Sequence, residues 1–131
     1  MAAGESYPGN LKYHEEHDWA RIEDDEAVLG ITWFAADALG ELVHFEPPET
    51  GSRVTKDQSY GEVESVKAVS DVIAPLSGEV LEVNQQVVDA PETVNEDPYD
   101  AGWLIRIRLS APGELESLLD ADAYQQLLAE Q

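Results

Sequence analysis

Alternating apolar and polar residues run through most of the chain. DWARIE (18–23) and AVLGI (27–31) are strand-length runs separated by Asp24-Asp25, which predicts a hairpin with alternate side chains on one face. TWFAADALG (32–40) breaks the alternation. Thr32 suits a helix N-cap, the alanines favour helix and Gly40 suits a left-handed stop, so one short internal helix is predicted. ELVHFE (41–46) reads as a strand ended by Pro47-Pro48 and a turn at Gly51. QSYGEVESV (58–66) and AVSDVIA (68–74) predict a second hairpin with Lys67 at its tip. After Pro75 and a Ser77-Gly78 turn, GEVLEVN (78–84) reads as a strand, DAPETVNEDPYDAG (89–102) as a loop, and WLIRIRL (103–109) as a strand whose arginines face outward. From Ser110 the pattern turns helical: Pro112 suits an early helical position, ELESLL follows, and ADAYQQLLAEQ (121–131) predicts a last amphipathic helix.

These elements predict a mostly β protein with helical edges. Gly40–Phe45 weakly echoes Gly78–Val83, and two such half-units packed face to face would make a small β-sandwich with the Lys67 hairpin projecting at its edge. The 131 residues suit one domain, 1–131, with a helical extension over about 111–131. A chain of this length buries roughly two-thirds of the surface its unfolded form exposes.

Charge narrows the partners. With 28 acidic and 7 basic residues the net charge is −21, which repels nucleic-acid phosphates and anionic lipid headgroups, so neither nucleic acid nor membrane is expected as a partner. Hydrophobic residues make up 43%, with three Trp and five Tyr in orderly alternation, which argues for a packed fold rather than disorder. Scarce lysine with abundant Asp and Glu also fits adaptation to concentrated salt. No apolar run approaches the ~20 residues a spanning helix needs. The opening MAAGESYPGN has neither an apolar signal core nor transit-peptide arginines, so a cytoplasmic protein is expected. There is no cysteine, and any sulfur chemistry would have to be imported.

Few residues suggest intrinsic catalysis. His14 and His17 flank two glutamates, but HEEH is not the HExxH zinc pattern and its segment reads as extended. No GxSxG elbow is present. Lys67 stands out as one of three lysines in the chain. Lysine on a strand edge commonly serves to block aggregation. Here the neighbours Val66 and Ala68 are too small to hide the ammonium, and Glu62, Glu64 and Asp71 would steer a cationic partner group toward the tip. A lysine displayed on a turn suits a carrier's attachment site.

GEVESVKAVSDV (61–72) resembles the lipoylation hairpin of the glycine cleavage system H-protein family. The resemblance extends through HEEHDWA (14–20), GIT (30–32), ALGELV (38–43), PLSGEVLEVN (75–84), VNEDPYDAGWLI (94–105) and ELESLLDADAY (114–124), in family order over most of the chain. It implies a lipoyl-type β-sandwich, or barrel-sandwich hybrid, with C-terminal helices. It also implies a carrier rather than an enzyme, with lipoate joined by an amide to Lys67 in the hairpin of Glu64, Ser65, Val66 and Ala68. The implied partners are glycine decarboxylase, which loads an aminomethyl group, the aminomethyltransferase that removes it, dihydrolipoyl dehydrogenase, and a lipoate-attaching enzyme. A monomer is expected. Acids that contact the amine of the loaded arm in that family match Glu16, Asp18 and Asp71 here.

The sequence departs from the family pattern at Trp33 and Ala36, where Asp and Gln are usual. These changes remove an acid from the helix start and are expected to expose an aromatic there. Pro47 and Ala90 also depart. Related hairpins in 2-oxoacid dehydrogenase lipoyl domains usually read D-K-A, and biotin carriers place Met on both sides of the lysine. The remaining alternatives are a lipoate relay or H-like carrier outside glycine cleavage, and an interaction module that is never lipoylated.

Overall fold

The computed structural model describes residues 4–130; Met1–Ala3 and Gln131, which end the expected domain and the expected last helix, lie outside the described residues. Nine strands form two antiparallel sheets among the described residues. The larger sheet contains β1 (Lys12–Tyr13), β2 (Asp18–Glu23), β3 (Glu26–Ile31), β5 (Arg53–Val54), β8 (Gly78–Val83) and β9 (Ile105–Leu109), in the order β1-β2-β3-β9-β8-β5. The smaller contains β4 (Leu42–Glu46), β6 (Ser59–Ser65) and β7 (Val69–Ile73), in the order β4-β6-β7. The two echoing segments fall in opposite sheets, β4 in the smaller and β8 in the larger, which gives an unequal sandwich rather than two matched halves.

Alternation explains which face each strand buries. Leu29, Phe45, Val63, Val72, Leu76 and Ile107 meet between the sheets in the main core. A second cluster, Leu11, Tyr13, Trp19, Val28, Ala121 and Tyr124, covers the other face of the larger sheet. β3 is therefore buried on both faces, and its run Ala27–Ile31 is apolar throughout. Trp19 lies in register with Gly30, and a Cβ there would fall 2.5 Å from the indole ring, so only glycine admits the tryptophan.

The C-terminal segment closes this second cluster. Residues Pro112–Ser117 form a 3-10 helix, and α4 (Ala121–Ala129) follows, capped by Asp120. Tyr124 of α4 stacks on Tyr13 with ring centroids 4.8 Å apart. The expected helix over ELESLL is thus tighter than an α-helix. Glu114 there is drawn to the Ser77 turn, accepting bonds from Ser77 N at 2.8 Å and Oγ at 2.9 Å.

The largest departure from expectation is around the loop expected over 89–102, which contains a helix and is preceded by another in 85–89. Asn84 caps α2 (Gln85–Asp89), accepting from Gln86 N, and α3 (Thr93–Glu96) follows, so three short helices precede β9 where one was expected. α1 (Trp33–Leu39) is the helix that was expected, with Thr32 as N-cap and Gly40 as C-cap. The β9 arginines do face outward. Arg106 bonds Glu23 at 2.7 Å and lies 3.4 Å from Glu26, while Arg108 lies 3.6 Å from Glu79. No helix among the described residues is long and apolar enough to cross a membrane.

Candidate functional site: the Lys67 hairpin and its platform

β6 and β7 pair in register to Glu64 and Val69, leaving Ser65–Ala68 as the tip. Ser65 N donates to Ala68 O at 2.8 Å and closes the turn. Its buried hydroxyl then accepts from Lys67 N at 3.3 Å and Ala68 N at 3.1 Å, satisfying two amides that the turn leaves without strand partners. Ser65 thereby fixes the backbone of the lysine while Val66, Lys67 and Ala68 stay exposed. Lys67 makes no ion pair among the described residues, whereas the Lys56 ammonium is held 3.0 Å from Asp57.

The lysine rests on a platform. A Cβ at Gly40 would lie 3.6 Å from Lys67 Cε and 4.0 Å from Nζ, so the aliphatic stem passes over the C-cap of α1. Gly40 has φ 83° and ψ −161°, a conformation essentially confined to glycine. Asn95 of α3 holds this corner from below. Its Nδ2 donates to Gly40 O at 2.8 Å, and its Oδ1 accepts from Leu42 N at 2.9 Å.

The same NEDPY segment secures the other end of α1. Tyr99 Oη accepts from Trp33 N at 2.8 Å and donates to Ser6 O at 2.6 Å, and Trp19 Nε1 donates to Pro98 O at 3.0 Å. Burial pushes the Tyr99 phenol up to about 12, keeping it a neutral donor. Trp33 is half-buried rather than exposed, which corrects the expectation for that position. The missing first-turn acid is real, leaving the Thr32 hydroxyl, 3.3 Å from Ala35 N, as the cap.

The acids divide into two groups. Asp71 is exposed and lies opposite Glu62, which is itself opposite Glu46, so three carboxylates cross the outer face of the smaller sheet in one row. Glu64 is exposed one row nearer the tip, beside His44. Asp18 is different. It is 2% exposed, its Oδ1 has no hydrogen-bond partner, and burial pushes its carboxyl well above the ordinary range. The Ile73 backbone opposes that shift, and the nearby charge of the exposed Glu16 adds to it. The Tyr60 hydroxyl, also buried without a partner, is raised by burial first and by Asp18 second. The structure therefore brings Glu16 near Asp18, and brings Asp18 to Ile73, two residues beyond Asp71 on β7. Tyr60, Gly40 and Asn95 were missed by sequence reasoning. Gly40 was seen only as a helix stop; Asn95 lies in the VNEDPYDAGWLI stretch that carries the family resemblance but was given no role, and no sequence signal marks Tyr60.

His14 and His17 do not form a metal centre with a third ligand among the described residues. His14 Nε2 lies 2.6 Å from Asp57 Oδ1, while its Nδ1 accepts from Glu16 N at 3.0 Å. His17 Nδ1 lies 2.8 Å from the Tyr124 hydroxyl, which in turn lies 2.8 Å from Thr32 Oγ1. His14 thus joins its turn to Asp57, and His17 joins the same turn to α4.

Comparison with known proteins bears on this arrangement. The family model described as Glycine cleavage H-protein matches residues 11–131. The chain belongs to the glycine cleavage H-protein family. It is 50% identical over 117 residues to the glycine cleavage system H protein of Symbiobacterium thermophilum, covering 89% of this chain and 91% of that one. To the protein of the same name from an Anaeromyxobacter species (strain K) it is 52% identical over 124 residues, covering 95% and 97%. The crystal structure of a glycine cleavage system H protein from Mycobacterium marinum superposes with a TM-score of 0.87 at 44% identity, covering 93% of this chain and 98% of that one. The fold is thus the lipoyl-type β-sandwich of the H-protein family. In this member Ala36 is buried in the core, and Ala90 ends α2 by donating to Gln86 O at 2.8 Å.

Proposed function

We propose that Lys67 is the residue through which this H-protein family member carries lipoate, and that the chain acts as a carrier rather than as a catalyst. The single observation behind the assignment is the lysine itself: exposed, free of ion pairs among the described residues, and set on a turn whose backbone Ser65 fixes. When bound, lipoate supplies the sulfurs that a cysteine-free chain lacks, and with them the shuttle of an aminomethyl group from glycine decarboxylase to the aminomethyltransferase and of the dithiol to dihydrolipoyl dehydrogenase. Attachment requires the ammonium to lose a proton so that Nζ can attack an activated carboxyl carbon. The leaving group departs with the bonding pair, and a second proton leaves as the neutral amide forms. The stem rests over Gly40, and tethering at a fixed tip raises the effective concentration of the cargo at each partner.

Glu16, Asp18 and Asp71 are assigned to receive the amine of the cargo. In support, Asp18 Oδ1 is a buried acceptor with no protein partner, and Asp71 lies on the exposed face of the hairpin strand that packs near Asp18. We place the chain in the cytoplasm as a monomer and as one domain that includes the helical extension. A net charge of −21 opposes self-association, and Tyr124 ties the extension to β1.

The test is glycine cleavage reconstituted from the three partner enzymes and lipoate-loaded carrier. Lys67→Arg keeps charge and reach but offers no acylatable amine, and should fold normally while supporting no turnover. Turnover at the wild-type rate would overturn the assignment.

A further inference from the structure

The large hydrophobic side chains left exposed among the described residues are Val43, Val66 and Val69, at 47%, 75% and 60%. All three lie at one end of the smaller sheet. Val66 precedes Lys67, and Val69 faces Glu64 on the last rung of the hairpin. Val43 occupies the β4 irregularity between Leu42, paired with Ser65, and His44, paired with Glu64. An irregularity of this kind re-aims a side chain, and here Val43 is exposed beside the tip. Ala68, also exposed, adds to the apolar surface.

On a chain with 28 acids, three solvent-facing valines around one lysine call for a partner. The next rows down the outer face are acidic: Glu64, then the in-register row Glu46, Glu62 and Asp71. Like charges directly opposite one another destabilise a sheet, and a cationic surface laid across them relieves that repulsion. An apolar centre with a charged border on one side is the anatomy of an interface.

We propose that Val43, Val66 and Val69 are the docking surface for the enzyme that acylates Lys67, and that this enzyme meets them with an apolar pocket bordered by arginine or lysine. The proposal rests on the assignment of Lys67 as the attachment site. The acylating enzyme is favoured over the enzymes that use the loaded arm because its bond forms at Nζ, so its active site must close over the tip. The others react at sulfurs far beyond Nζ and can leave the tip uncovered. The co-reactant is an activated lipoyl ester, such as an acyl adenylate. Nζ forms the new bond to its carbonyl carbon, the carbon–oxygen bond to the nucleotide breaks, the nucleotide leaves with the electron pair, and two protons pass to solvent. The acid row speeds encounter with a basic border.

The test measures initial rates of Lys67 acylation by a lipoate-attaching ligase with lipoate and ATP, using full-length wild type, Val43→Ser, and Val43→Ser with Val69→Thr. Threonine keeps strand propensity, and thermal melts check the fold; Val43→Ser alone, outside the hairpin, serves if the double variant is unstable. The double variant should show a KM for carrier raised roughly ten- to hundredfold. After prolonged incubation to full loading, it should support reconstituted glycine cleavage at the wild-type rate. Wild-type acylation kinetics in both variants would overturn the proposal while leaving Lys67 as the attachment site. Equal losses in acylation and in turnover of the loaded carrier would also overturn it, as would valine-dependent self-association of the wild type. Failure of the wild type to be acylated on Lys67 would remove both readings.

Discussion

Lys67 lies across Gly40, its Cε 3.6 Å from where a Gly40 side chain would begin. One residue tips a hairpin and the other ends a helix, and the contact makes the α1–β4 corner part of the site. Asn95 spans that corner by bonding Gly40 O and Leu42 N, so a residue on a third element sets the height of the platform under the lysine.

Gly40→Ala should separate strain from crowding. The new Cβ would meet Lys67 at ordinary van der Waals distance, but φ 83° is costly for any L side chain. A loss of about 1–3 kcal/mol is expected, seen as a melting temperature lower by several degrees, with Lys67 still acylated. An unchanged melting temperature would contradict the backbone argument.

Asn95→Ala removes both bonds and leaves the Leu42 N–H unpartnered next to a buried side chain. The expected cost is about 1–3 kcal/mol by denaturant titration. Asn95→Asp can still accept from Leu42 but sets a carboxylate against the Gly40 carbonyl, so it should not restore wild-type stability. Full rescue by Asp would show that the Gly40 bond contributes nothing.

Asp18 should make stability depend on pH. Burial raises its carboxyl in the folded state above the unfolded value of about 3.9, so its contribution is fully present below that pH and is lost as pH rises through the raised value. Asp18→Asn mimics the protonated form. Its melting temperature should match wild type near pH 4 and exceed it increasingly toward neutrality. A pH-independent difference between the two proteins would contradict this. The other carboxylates are common to both proteins, so their effects largely cancel.

Salt should stabilise the fold, because 28 acids on one small domain repel one another and the screening length falls from about 10 Å at 0.1 M to about 3 Å at 1 M. Molar potassium chloride should raise the melting temperature. Identical melts in dilute buffer and in molar salt would show that the repulsion is already compensated locally, as at Arg106 among Glu23, Glu26 and Glu82.

Where local chemistry decides structure, the sequence could be read. The Lys67 hairpin follows from two valine-rich alternating runs, and α1 from its Thr32 cap and Gly40 stop. α2 and α3 were missed because helices of five and four residues show no 3.6-residue periodicity; the Asn84 cap and β4 hold α2, and α1 and α2 hold α3. Position decided Asp18. An acid opening a strand reads as solvent-facing, but in the folded chain it is buried, bonded to the Ile73 backbone of β7 and close to Tyr60. Lys67 was legible because small neighbours leave it on display at the tip of a hairpin that its flanking strands predict. The platform beneath it was not, since Gly40 and Asn95, 55 residues apart in sequence, meet only in the folded chain.

Whether Lys67 alone carries the lipoyl group is decided by intact-mass measurement with peptide mapping of protein from its own source. One lipoyl amide is expected, on the peptide containing Lys67, with Lys12 and Lys56 unmodified and no modification in Lys67→Arg. Lipoate on Lys12 or Lys56, or a Lys67 that remains a free amine while glycine cleavage proceeds, would contradict it.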